Sequence, residues 1–156
     1  MMGKYPIKLD IIPMKAKYHR FIKINEKDKR YFHIYFNDNK KNEIKTTSLN
    51  KNDIVIKINI IIDYHVKSFS YLFSYIDSIE SINFIIFNRN NITDMSYMFN
   101  VCISLKRLNL NNFNTNNVTD MSGMFWLCRT LEELNLKNFN THNVTNMSGM
   151  FYGCSH

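Results

Sequence analysis

The chain has 156 residues, 45% of them hydrophobic, with a formal net charge of +7. That is enough for one compact domain or a small domain plus a short array. No stretch approaches the ~20 consecutive apolar residues of a membrane-spanning helix, because the densest run, "IKINIII" (Ile56 to Ile62), is broken by Lys57 and Asn59. The N-terminal "MMGKYPIKLDII" is interrupted by Lys4, Lys8 and Asp10 and does not read as a signal peptide. Charge is uneven. Residues 1–65 carry fourteen Lys/Arg against seven Asp/Glu, and residues 66–156 carry six against six. The lysines of the front half are scattered through strand-like segments and no RNA-binding signature accompanies them. A solvated basic surface is therefore favoured over nucleic-acid or anionic-surface binding, which is kept as a distant alternative.

In chain order, "PIKLDII", "YHRFIKI" and "YFHIYF" read as short β-strands, with "NEKDKR" and "NDNKKNE" as polar turns. Residues 1–65 are taken as a β-rich N-terminal cap. Its last segment, "DIVIKINIIID" (Asp53 to Asp63), places Ile56, Ile58 and Ile61 one 26-residue step before Ile82, Phe84 and Phe87. It is expected to be the strand of an incomplete unit covering the open end of a sheet.

From residue 66 the chain repeats itself every 26 residues without a gap, as 66–91, 92–117, 118–143 and a partial 144–156. Phe69, Met95, Met121 and Met147 share one column. Phe73, Phe99, Phe125 and Phe151 share another. Ile76, Cys102, Cys128 and Cys154 share a third, and Ile82, Leu108 and Leu134 a fourth. In Val118-x-x-Met121-x-x-Met124-Phe125-x-x-Cys128 the apolar steps of three and four predict one face of a helix, with Asn117, Thr119 and Asp120 as candidate N-caps. Leu131-x-x-Leu134-x-Leu136 ends in the alternation of a half-buried strand. A helical turn plus a strand per unit predicts an α/β solenoid of leucine-rich-repeat type, with a parallel sheet on one side and helical turns on the other. The methionine column is then a core ladder and not a soft-metal site. Metal binding needs thioethers converging on one point, and a ladder spreads them along an axis.

These units, "NITDMSYMFNVCISLKRLNLNNFNT" and "NVTDMSGMFWLCRTLEELNLKNFNT", resemble the BspA-type leucine-rich repeats, also described as a Mycoplasma-type repeat of unknown function. The resemblance covers about residues 66–156. It implies a right-handed solenoid, no catalysis, and use as a surface or adhesion module at the cell surface or in secreted form.

Other chemistry is weakly signalled. Three cysteines spaced by 26 match no metal motif, and buried free thiols are favoured over disulfides. His19, His33, His65, His142 and His156 do not repeat and have no catalytic partner at motif spacing. No metal, cofactor or active site is expected. Asn91, Asn117, Asn143 and Asn146 begin N-x-[ST] sequons, but capping at a helix start, copied by the repeat, is favoured as the reason for an Asn and a Thr there. The candidate binding face is the exposed side of the predicted strands: Ser81 and Asn83, Arg107 and Asn109, Glu133 and Asn135. Arg107 and Glu133 are expected to pair between units. The chain stops at "FYGCSH", with Gly153 as a candidate C-cap, so the last strand is expected to keep an open edge that a partner covers or that self-associates. The leading reading is a non-catalytic protein-interaction module. Its rival is a remnant of a longer repeat protein with no independent function.

Overall fold

The computed structural model describes residues 6–15 and 18–155. The segment read above for a leader lies partly outside these residues, as does His156. Among the described residues there are five strands: β1 (Ile7–Pro13), β2 (Phe32–Phe36), β3 (Ile58–Ile62), β4 (Ile79–Phe87) and β5 (Arg107–Asn109). They form one mixed sheet in the order β2-β3-β1-β4-β5. β1 pairs antiparallel with both β3 and β4, β2 pairs antiparallel with β3, and only β4 and β5 run parallel. β1 follows the period of two, with Ile7, Leu9, Ile11 and Pro13 buried. In β4 the buried residues are Ile79, Ile82, Phe84 and Phe87, and two register shifts against β1 absorb the broken alternation.

This sheet overturns the α/β solenoid with helical turns. The helix found is a short 3-10 helix, Glu26–Tyr31, and it stands in the front half where "NEKDKR" was read as a turn. The front half departs from expectation twice more. β3 does not lie beside β4 as a parallel strand of an incomplete unit, because β1 is inserted between them, and Ile56 is exposed. "YHRFIKI" contributes only an isolated bridge, Arg20 to Ser48. At the other end, the predicted strand from Leu131 to Leu136 is reduced to one bridge, Glu133 to Arg107.

Where helices were predicted, the chain makes turns stacked at the 26-residue interval. Call residues 68–75, 94–101, 120–127 and 146–153 rungs. Each rung has two residues in the left-handed region: Tyr71 and Tyr75, Tyr97 and Val101, Gly123 and Leu127, Gly149 and Gly153. A left-handed residue every fourth position prevents α-helix propagation. Alternate N–H groups instead close local four-residue turns, such as Met98 to the Met95 carbonyl and Asn100 to that of Tyr97. The others donate to the following rung. Met95, Tyr97, Phe99 and Val101 bond the carbonyls of Asp120, Ser122, Met124 and Trp126 at 2.7–2.9 Å, and the same four bonds recur between the other neighbouring rungs. The turns still send Met95, Met98, Phe99 and Cys102 inward, so the buried pattern mimics that of a helix.

Packing follows the same interval. Phe73, Phe99, Phe125 and Phe151 stack with ring centroids 5.6 Å apart at each step and nearly parallel planes. Cys102, Cys128 and Cys154 each donate a thiol hydrogen bond, at 3.0 Å, to the carbonyl of Phe73, Phe99 and Phe125 respectively. The three thiols are free. The core continues without interruption from β1 to β3 into the rungs. Lys23 N–H donates to the Leu72 carbonyl at 2.8 Å and the Ser78 hydroxyl to the Arg20 carbonyl at 2.7 Å, which seats the front half on the first rung.

Candidate interaction surface

The parallel pair β4–β5 fixes the candidate face. Its register sets Ser81 opposite Arg107 and Asn83 opposite Asn109, and the Arg107–Glu133 bridge extends the row by one unit. Buried Ile82 and Leu108 alternate with these residues, so the pleat turns Asn83, Arg107 and Asn109 outward. Glu133 and Asn135 are also exposed, while Ser81 and Leu134 are half-buried.

The side chains of this face are partly committed to one another. Asn109 Nδ2 donates to Asn83 Oδ1 at 2.9 Å. The ladder then shifts, because Asn135 Nδ2 reaches Asn111 Oδ1 at 3.1 Å and not Asn109. Arg107 does not take Glu133 as its ion partner. Its guanidinium donates to Glu80 Oε1 at 2.7 Å, on the preceding unit. With Arg107 59% exposed the pair is worth only ~0–1 kcal/mol and can open. The Glu133 carboxylate is left facing an open groove of about 510 Å³. Lys106, Arg107, Leu108 and Asn109 line it together with Glu132 and Glu133. The surface therefore offers two cations, two anions and an amide at the spacing of neighbouring units.

The columns read as structural occupy the interior until the last rung, except that Leu134 is half-buried. Met95, Met121, Phe99 and Phe125 are fully buried, whereas Met147 and Phe151 are each 48% exposed. Burial pushes the Cys102 thiol well above its ordinary pKa and the Cys128 thiol up to about 12, so neither is a nucleophile at neutral pH.

Three of the sequon asparagines are tied to the backbone about one repeat earlier, and the fourth, Asn146, donates to the Asp120 carboxylate at 3.2 Å. The amides of Asn91, Asn117 and Asn143 donate to the carbonyls of Tyr64, Asn90 and Asn116 at 2.6–2.7 Å. Asp120, read as a helix cap, closes a local turn instead. It accepts from the Ser122 N–H at 2.7 Å and hydroxyl at 2.6 Å.

Two polar clusters were invisible at sequence level. His33 lies between Glu43 (Nδ1, 3.2 Å) and Asp63 (Nε2, 3.3 Å), partners 10 and 30 residues away that the Ile34–Ile44 bridge and the β2–β3 pairing bring near. Arg89 is buried over the Tyr64 ring, and burial lowers its pKa to about 10. One of its N–H groups donates to the Asp63 carbonyl. Among the described residues no group of three or more His, Cys, Asp or Glu could hold a metal ion. No helix among them is long and apolar enough to cross a membrane.

Internal repetition at a fixed interval, with rung stacked on rung at that interval, defines a repeat protein. The family model described as "Mycoplasma protein of unknown function, DUF285" matches residues 66–156, and the chain belongs to that family. No curated protein and no solved structure matches it.

Proposed function

We propose that the chain is a non-catalytic protein-interaction module that binds its partner through the exposed β4–β5 face. One observation carries this reading: the open groove lined together by Lys106, Arg107, Asn109, Glu132 and Glu133. Its polar groups are held by a rigid sheet and stacked rungs, so little order has to be gained on binding. The BspA-type kinship drawn from the repeat motifs is compatible with the family match and supports a surface or adhesion setting for the module.

The test is a triple variant, Arg107→Ala, Asn109→Ala and Glu133→Ala, compared with the parent chain in cross-linking and mass spectrometry against host-cell extract. All three side chains are exposed, and exposed substitutions usually stay within ~0.5 kcal/mol each. The expected result is a partner held by the parent and lost by the variant at nearly unchanged melting temperature. Capture of the same proteins by both chains would sink the reading.

A further inference from the structure

The stack of rungs has a direction. At every junction the earlier rung supplies four N–H groups and the later rung four carbonyls, while bonds in the opposite direction run only through Thr93, Thr119, Thr145 and Asn146 at the edge of the rungs. Phe69, Tyr71, Phe73 and Tyr75 donate to Asp94, Ser96, Met98 and Asn100, and Met121, Gly123, Phe125 and Leu127 donate to Asn146, Ser148, Met150 and Tyr152. The aligned peptide dipoles put a positive end on the last rung, as oriented backbone N–H groups in alternating right- and left-handed conformation do elsewhere. On that rung the carbonyls of Asn146, Ser148, Met150 and Tyr152 all point back, and those of Met147, Gly149 and Phe151 close its internal turns. Facing outward are the N–H groups of Met147, Gly149, Phe151 and Gly153, which have no partner among the described residues.

We infer that this end of the stack is a polar docking surface for a further repeat unit of the same class, which meets it with a row of four alternate carbonyls. The established junctions show that interface three times, and the last rung continues it in side chains as well as backbone. Phe151 presents its free ring face in the column where each earlier ring stacks on the next, and Met147 and Tyr152 are exposed beside it. A second copy meeting this face with its own would set four donors against four donors, which leaves all eight N–H groups unsatisfied. A second copy arriving with its opposite end meets the front half, which already holds the Leu72 carbonyl through Lys23. A compact anion satisfies two or three converging donors, whereas these four are strung along an eight-residue turn segment.

The test lengthens the full chain by a second copy of residues 131–156 placed after His156, which keeps the 26-residue register. Amide hydrogen exchange is followed residue by residue in both chains. In the parent, Met147, Gly149, Phe151 and Gly153 exchange freely while Phe99 and Phe125 are protected. In the lengthened chain the four become protected by at least about a hundredfold. Unchanged exchange at these four amides in the lengthened chain overturns the inference. Sedimentation of the parent supplies a check independent of that variant's folding. A monomer at high concentration agrees with donor-against-donor exclusion, and a dimer whose formation protects these amides overturns it. Saturable shifts of the same amides with inorganic phosphate would likewise overturn it in favour of a compact-anion site. The β4–β5 surface is untouched by either outcome.

Discussion

The phenylalanine column allows the stacking to be measured. Phe125 is fully buried, with Phe99 on one face and Phe151 on the other, both at 5.6 Å. Phe151 is 48% exposed and has one ring neighbour. Truncating a buried phenylalanine to alanine costs ~3–5 kcal/mol, and each aromatic pair adds ~0.5–1.5 kcal/mol beyond its buried area. Phe125→Ala, losing two pairs and opening a cavity between rungs, belongs at the top of that range, about 5 kcal/mol. Phe151→Ala loses one pair and half the burial and can be filled by solvent, so about 2 kcal/mol is expected. At ~2–4 °C per kcal/mol for a chain of this size, the melting temperature should fall by about 10–20 °C for Phe125→Ala and about 4–8 °C for Phe151→Ala. Thermal unfolding followed by circular dichroism, with urea titration as a second probe, measures both. Equal losses, or a larger loss at Phe151, would refute the stacked-rung account of the core.

Three further predictions follow from neighbouring features. A Cβ at Gly123 would come within 2.3 Å of the Tyr97 ring at a φ of +56°, so Gly123→Ala should destabilise by ~2–4 kcal/mol, combining left-handed strain with overpacking. Adding Tyr97→Ala relieves the clash and not the strain, and the double-mutant cycle should return a coupling of at least ~1 kcal/mol. Cys154, half-buried on the last rung, should be alkylated before Cys102 and Cys128 at pH 8, as read by peptide mass spectrometry. For Asp120, burial alone would raise the pKa, but bonds from the Ser122 hydroxyl and N–H and from the Asn146 amide outweigh it and hold the group below its ordinary value. Its contribution is therefore full above the unfolded carboxylate pKa of ~3.9 and is lost as pH falls through the lower folded value. Asp120→Asn, which copies the residue found one unit later at Asn146, should flatten that acid-side loss in urea titrations between pH 5 and pH 2.

The repeat interval and the buried columns were legible because a 26-residue period needs only counting. Met95, Met98, Phe99 and Cys102 are inward in the structure, as their spacing demanded. The conformation that delivers the spacing was not legible from that pattern. Apolar steps of three and four suit a helix, but successive tight turns meet them equally well. The contrary signal was Gly123 and Gly149 inside the supposed helices, at positions poor for helix and good for positive φ. Tyr71, Tyr97, Val101 and Leu127 hid that signal by taking the same conformation without glycine. In the front half, Ile58 and Ile61 matched the 26-residue step by coincidence of an isoleucine-rich composition, and no local pattern reveals that β1 separates β3 from β4. On the candidate face, the exposure of Asn83 and Asn109 was readable from alternation. Arg107 pairing with Glu80 was not, because it depends on rotamers between units.

The central place of β1 bears on how the protein emerges during synthesis. β1 leaves the ribosome before either of the two strands that pair with its edges, which lie at residues 58–62 and 79–87. Until residue 87 is made, Ile7, Leu9 and Ile11 have at most half of their sheet. The nascent chain must carry an apolar strand unpaired for that interval, a window in which a holding chaperone has something to hold.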